Sequence, residues 1–568
     1  MKKLCSKVLA LVLASTAIVP AVGCSRSSGE KVDENKSQLY VGLYDGGVGT
    51  QYIEEIKSRF EEKYADVSFE DGKTGVQIMW DGGPSYLGAN LLSTIVSDDM
   101  DVYFTEEASL YDYIAQGTIL DITDLVTQTV NEDDGKTIYS KLIDSDKEAL
   151  AVNGKYYAIP HTELYTGLSY DAGIFKKKNL YFADNLDTED TVYPGTNSFV
   201  MDASQKKSCG PDGKYDTYDD GLPSSFMEFY KLIDKMKQNS VDAFVFPGMY
   251  MLYTNMLYIS LYQSYVGTTG VRLNFDYDSN GEEVEIVTGF KSNGQPIIEK
   301  KVITRDNAYL LKQTAGLYYA QEFAAKVYSD SSYYYNKCTA STVSHINAQE
   351  FFMNSGIDGS NYIGMLMEGN YWYNEASDDG VFKRLKSDYS ETYMEKDPRW
   401  MALPQQYEGR VTEGNGASPV LMDSYNSYAF INAKIKSSKV DLAKTFLSFC
   451  YSDAELINFT KTTNGITLGV NYDLDAARES LDDFGKSVLD VRADAVKGNS
   501  FARAISSDPI FTNNQAKFKM NASAIYWEST KGTYLYTAAR QNISVKDFFQ
   551  GMWISESEWK NSYNVYGG

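Results

Sequence analysis

The sequence has no apolar stretch long enough to cross a bilayer. The run Val8–Val19 holds roughly 12 residues against the ~20 that a spanning helix needs, and no later stretch is longer. Histidine is scarce: His161 and His345 are the only two, too few for most zinc chemistry. Neither Gly-x-Ser-x-Gly nor His-Glu-x-x-His occurs. Gly-Lys-Thr at 72 and 135 and Gly-Lys-Ser at 485 lack the glycine five residues upstream that a phosphate loop requires. Basic residues are also short, with 53 Lys and Arg against 77 Asp and Glu and a net charge of -24. That excess argues against nucleic acid and anionic lipid as partners and disfavours anionic ligands.

Cysteine is limited to five residues. Cys5 lies in the leading segment, and Cys209, Cys338 and Cys450 allow at most one disulfide, so stability has to come from packing. The remaining one, Cys24, closes a distinctive segment. Lys2, Lys3 and Lys7 precede the apolar run, and Ala21-Val22-Gly23-Cys24 ends it. This is the layout of a secretory signal peptide spanning residues 1–24. Its Val-Gly-Cys ending resembles the lipobox of bacterial lipoproteins, with Ala21 where leucine is usual, which implies lipidation of Cys24 and residence on the outer face of the cell membrane. The polar residues 25–37 then read as a flexible tether.

What the chain has in abundance is length and aromatic surface. Its 568 residues, 43% of them hydrophobic, can bury more than one core. Aromatics reach 14%, with 46 tyrosines, and flat amphipathic rings suit the apolar faces of sugars.

Along the first hundred residues strand and helix patterns alternate. Leu39–Tyr44, Val76–Trp80 and Val102–Phe104 read as strands. Ile53, Ile56, Phe60 and Tyr64 recur at helical spacing, as do Leu87, Leu91 and Ile95. Strand, loop and helix in repetition predict a parallel α/β sheet, whose ligands sit in the loops beyond the strand carboxyl ends. Here those loops are Asp45–Gly49, Asp81–Gly83 and Thr105–Ala108. Residues 271–304 alternate with period two and predict a β-meander, and Ser438-Lys-Val-Asp441 predicts a capping box opening a helix.

Taken in order, several segments resemble the extracellular solute-binding proteins of sugar ABC transporters, the group that includes maltose-binding protein. They are Ser97–Val102, with Met100 in a proline position; Val152–Pro160; Gly167–Asp171 with Phe175; Asp220–Phe229; Gly369–Trp372; Ala402–Pro404; and Ile431–Phe449. The resemblance implies an α/β, two-lobed periplasmic-binding-protein-like fold of type II, with crossing hinge strands and insertions, that closes over a ligand. It puts residues 38–160 plus 408–465 in one lobe and 161–407 plus 466–568 in the other. The crossovers would fall near Ile159–Glu163, Pro404 and Gly465–Gly469. It further implies a monomeric, non-enzymatic protein that needs no cofactor and delivers a sugar to ABC permease subunits.

Candidate ligand residues follow. Trp80 and Trp372 stand at turns beside glycines, where a ring can stack under a pyranose. Asp45, Thr105, Glu106 and Glu163 lie in segments that line the family's cleft, and carboxylates accept from two hydroxyls at once. Tyr165, Tyr425 and Tyr428 lie close to such segments. His161, beside a crossover, reads as structural. The loop Asp212-Gly-Lys-Tyr-Asp216-Thr-Tyr-Asp219-Asp220 gathers carboxylates on a glycine-bent backbone, as a structural Ca²⁺ site would, although its spacing is not that of an EF-hand. Two other functions share these features: a sensor that passes its ligand signal to a receptor kinase, and an extracellular glycoside hydrolase acting through two carboxylates.

Overall fold

The structure is a computed structural model that describes residues 30–184, 198–202, 204–357, 359–378, 380–393, 396–506, 508, 512 and 534–566. Cys24, the signal segment 1–24, residues 25–29 of the tether and Trp527 lie outside the described residues.

Among the described residues fifteen strands are numbered in chain order. The first lobe is built on β1 (Ser37–Leu43), β2 (Val76–Gly82), β3 (Val102–Thr105) and β4 (Ile159–Pro160). The link between lobes holds β5 (Thr162–Glu163), and the second lobe begins with β6 (Thr166–Asp171) and β7 (Val241–Val245). Then come the pair β8 (Glu283–Phe290) and β9 (Pro296–Val302), followed by β10 (Tyr362–Gly369) and β11 (Pro398–Trp400). The last four are β12 (Leu421–Asp423), β13 (Tyr428–Ile431), β14 (Thr467–Leu468) and β15 (Phe501–Arg503).

The first sheet has the order β2-β1-β3-β13-β4, with β1 parallel to β2 and β3 and with β13 antiparallel to its neighbours. Helices pack on it, and β1 is buried along most of its length: Leu39, Val41 and Leu43 are all fully buried. The helix Gln51–Lys63 turns Tyr52, Ile53, Ile56 and Phe60 toward that core, as their spacing predicts. Phe60 packs edge-on against Phe446 and Phe449 of the helix Val440–Cys450, with centroids 5.1 and 5.3 Å away.

The second sheet has the order β11-β6-β10-β7. The helix Phe226–Gln238 lies on it through Phe226, Phe229, Leu232, Ile233 and Met236, and Phe229 stacks on Phe323 at 4.5 Å. Two antiparallel strands, β5 and β14, run side by side between the lobes, and β12 pairs in parallel with β15. The resulting two-lobed α/β fold with crossing strands is the one expected.

Four local expectations need correction. Val271, Leu273 and Phe275 belong to the helical segment Tyr253–Asp276, because its last turns are buried on nearly all sides and so show no amphipathic period; only β8 and β9 form the predicted hairpin. The second crossing lies at Leu421–Tyr428 rather than near Pro404. Gln406 O accepts from Phe226 N and keeps that stretch in the second lobe, as Ser224 Oγ does by accepting from Val411 N. Ser438 does not cap its helix: its hydroxyl contacts Glu70 Oε1 at 3.3 Å, and a 3₁₀ turn, Ser437–Lys439, intervenes. Residues 30–37 pack against the lobe, with Glu30 ion-paired to Lys57 and Asp33 N donating to Gln77 Oε1 at 2.9 Å.

Cys209, Cys338 and Cys450 are free thiols in buried positions. Among the described residues no helix is long and apolar enough to cross a membrane.

Candidate functional site

The carboxyl ends of β1, β2 and β3 face the carboxyl end of β10 across the space between the lobes. The first lobe contributes Tyr44, Asp45, Glu106 and Glu107. The second contributes Glu368, Gly369, Tyr371, Asn374 and Glu375. Among the described residues, Tyr371 and Asn374 reach across this space. The Tyr371 and Tyr425 hydroxyls meet at 3.0 Å, and Asn374 Nδ2 donates to Gly47 O at 2.9 Å and Val48 O at 2.8 Å. Glycine is required at Gly47, which has φ +71° and whose Cβ would sit 3.2 Å from Tyr371, and at Gly369, whose Cβ would enter the Tyr371 ring.

Electrostatics single this region out. Burial pushes the Glu106 carboxyl well above the usual carboxylate range, and the carboxylates of Glu107, Asp423 and Glu375 push it further. Glu368, fully buried, is raised by burial and then by Glu375. Its Oε1 accepts from Gly369 N at 3.3 Å, and the Tyr253 and Tyr371 hydroxyls lie beside the carboxyl and act against the rise. Asp45 is raised by burial and by Asp81.

The structure distributes the predicted residues unevenly. Asp45 and Trp80 flank Gly82, whose Cβ would lie 3.1 Å from Asp45 Oδ2 and 3.4 Å from the indole. The Trp80 indole donates to Glu54 Oε1 at 3.0 Å and is only 5% exposed. Thr105 donates to Tyr428 O at 3.2 Å, and Glu106 and Tyr425 stand in the cleft. Tyr428 is fully buried in β13.

Three placements differ from expectation. Trp372 is interior to the second lobe: it is 0% exposed, its Nε1 donates to Ser169 Oγ at 2.8 Å, and Phe352 and Phe484 pack its faces and edges. Its neighbour Tyr371 is the ring that reaches across the cleft. Glu163 is spent on structure, since Arg492 Nε and Nη2 donate to its two oxygens at 2.5 and 3.0 Å and Thr467 Oγ1 adds a third bond. Tyr165 is buried with its ring 5.9 Å from Trp400. Sequence reading missed Glu368, Tyr371, Asn374 and Glu375. The signal that could have found them was the end of β10 and the turn and helix start that follow it, which together carry all four around Gly369.

Within the aspartate loop, backbone and hydroxyl donors serve some of the carboxylates, while Asp212 Oδ2 has no hydrogen-bond partner among the described residues. Asp219 accepts from Asp212 N and Thr217 Oγ1, both at 2.8 Å, and Asp220 accepts from Asp216 N at 2.9 Å. Among the described residues no group of three or more His, Cys, Asp or Glu side chains is placed to hold a metal ion, so Asp212, Asp216, Asp219 and Asp220 do not converge as a calcium shell would.

No family model matches the sequence, and no curated protein matches it. Among solved structures the chain is similar to a "Chitin oligosaccharide binding protein", with 12% identity, a TM-score of 0.52, and coverage of 92% of this chain and 99% of that one. At that identity the likeness concerns the fold, and the fold it supports is a two-lobed binding-protein architecture whose lobes meet at the cleft bridged by Tyr371, Tyr425 and Asn374.

Proposed function

We propose that the protein captures an extracellular oligosaccharide in the cleft between its lobes and passes it to the permease of an ABC importer, while a lipid on Cys24 holds it at the outer face of the membrane. The observation that carries the reading is the cross-lobe contact itself. Tyr371 and Asn374 of the second lobe engage Tyr425 in the crossing segment and the Gly47-Val48 backbone of the first lobe, beside a group of buried carboxyls. Tyrosine faces and carboxylates are the groups that bind sugar rings and hydroxyls, and strand ends in facing lobes suit hinge closure. The similar fold of a protein named for binding chitin oligosaccharides supports a sugar as the ligand.

The test is a thermal-shift screen of the purified protein against an oligosaccharide panel, followed by calorimetry. A ligand that raises the melting temperature in proportion to its concentration, and whose affinity falls at least tenfold in Tyr371→Ala, supports the reading. The same buried carboxyls are what a glycoside hydrolase would use as acid and base. Release of reducing sugar from a bound oligosaccharide would replace capture with that activity.

A further inference from the structure

A groove of about 1220 Å³ opens at the end of the second sheet that points away from the cleft. The register of β6 sets its place. Thr166 pairs with Gly369 beside the cleft, whereas Tyr170 pairs with Met365 and Asp171 with Pro398, roughly 13 Å further along the strand at about 3.3 Å per residue. Three walls enclose it: Tyr170 with the helix Ala172–Lys177, the stretch 205–218, and one face of the helix Asp483–Lys497. The volume is ample for a ligand of a few rings, since pockets for small ligands span about 300–1,000 Å³. None of the cleft residues lines it.

Most charges on these walls cancel in place. Arg478 Nε donates to Asp490 Oδ1 at 2.8 Å, Arg399 is shared by Asp397 at 2.6 Å and Asp483 at 2.9 Å, and Lys214 Nζ lies 3.5 Å from Asp494 Oδ2. Lys176 and Lys207 differ: among the described residues neither forms an ion pair. Lys207 is half-buried and held in place. The adjoining Ser208 N donates to Phe182 O at 2.9 Å, the lysine stem runs past Gly221, whose Cβ would lie 3.2 Å from Lys207 Cδ, and Nζ stands 3.4 Å over the Tyr181 ring. A ring face attracts the ammonium without neutralising it. Burial lowers Lys207 below the usual lysine range; Asp220 works against this, and Lys176 and Arg399 add to it. Asp220 is itself engaged, accepting from Asp216 N at 2.9 Å. Asp202 and Asp216 stand exposed at the rim, and Asp202 accepts from Ser204 N at 2.8 Å. With a net charge of -24 the chain repels anions in general, so an anion needs unpaired cations in an enclosed place, which Lys176 and Lys207 provide. We propose that this groove is a second ligand site, separate from the cleft, for an anionic saccharide. Its carboxylate or phosphate is received by Lys207 and Lys176, and a sugar ring lies against Tyr218, the most open of the three tyrosines in the wall. The site does not rest on the sugar-capture reading of the cleft.

Calorimetry of the purified protein at low ionic strength would compare a galacturonate trimer, its methyl ester, glucose 6-phosphate and inorganic phosphate. The expected result is that one of the two anionic sugars binds roughly tenfold or more tighter than the uncharged ester, and that added salt weakens it. Which of the two binds tells a carboxylate ligand from a phosphate one. Lys207→Met and Lys176→Met should each remove most of that preference. Lys176 is exposed, so its variant keeps the test open if Lys207→Met folds poorly. Tyr371→Ala, on the cleft, should leave anion binding unchanged. Anion binding that survives both lysine substitutions, or that is lost in Tyr371→Ala, would overturn the site. So would binding of neither anionic sugar at millimolar concentration, and inorganic phosphate held as tightly as both sugars would overturn the saccharide in favour of a plain anion site. None of these outcomes bears on capture in the cleft, which the neutral oligosaccharide panel tests separately.

Discussion

Asp219 is pushed up to about 8 because it is buried against the Asp212 carboxylate. Between the ordinary value near 3.8 and about 8, the folded protein keeps a proton that the unfolded chain gives up, so stability falls as pH rises across that window. Asp219→Asn imitates the protonated acid. It should therefore raise the melting temperature by roughly 2–4 °C at pH 9 and change it little at pH 4. The calcium expectation predicts the reverse: a chelator would lower the melting temperature of the parent, and the asparagine variant would no longer respond. His161 behaves with the opposite sign. Buried among Tyr52, Phe104 and Phe459, its imidazole is lowered to about 3. The unfolded chain binds a proton there near 6.5 and the folded one does not, so stability is lost as pH falls from that value toward 3. His161→Phe should flatten the acid limb of a stability-versus-pH curve; an unchanged limb would sink the assignment.

Single elements depend on contacts of very different reach. Ser225 caps the helix Phe226–Gln238 by accepting from Glu228 N at 3.1 Å, and Glu228 in turn accepts from Ser224 N at 2.8 Å. Ser225→Ala should cost about 1 kcal/mol in chemical denaturation, whereas Ser438→Ala, at a serine that caps nothing, should cost under about 0.5 kcal/mol. Equal losses would show that the cap assignment is wrong. This contrast is also where the pattern of residues was an incomplete guide. Both segments carry a serine followed three residues later by an acid, and only the packing of the preceding chain decides which serine takes the cap geometry. The crossing strands rest on a longer link. Arg492 arrives from the helix Asp483–Lys497 to neutralise Glu163 on β5. Arg492→Met would strand a buried carboxylate and should cost about 3–5 kcal/mol, recovered in large part by adding Glu163→Gln. Without that recovery, the pair is not what joins the tail to the crossing.

At the scale of the whole molecule, the proposed closure of the lobes would rest on the bonds that bridge the cleft. Asn374 makes two hydrogen bonds to the Gly47-Val48 backbone, and Tyr371 makes one to Tyr425. Each such bond is worth about 0.5–1.5 kcal/mol net. Asn374→Ala should shift the population toward an open form and weaken ligand binding roughly tenfold through the lost closed fraction. Small-angle scattering would register a larger radius of gyration for the variant without ligand, and an unchanged radius would mean that closure does not depend on this bridge.

The order of elements and the first sheet were legible in the sequence, because apolar strand runs such as Leu39–Leu43 and the helical spacing from Ile53 to Phe60 are local patterns that burial on one core imposes directly. The loops beyond the strand ends were legible for the same reason, which is why the sequence placed Asp45 and Glu106 at strand ends. What only the tertiary structure decided was partnership. Trp372 and Tyr371 are adjacent in sequence, and the turn after β10 sends one ring into the lobe and the other across the cleft. Glu163 is a carboxylate like Glu106, but an arginine more than three hundred residues away occupies it. Side-chain direction and distant ion pairs depend on how elements dock, and no spacing along the chain encodes them. Which buried carboxyls gain a cation and which, such as Glu106, Glu368 and Asp219, are left with their protonation raised by burial is decided only by that docking.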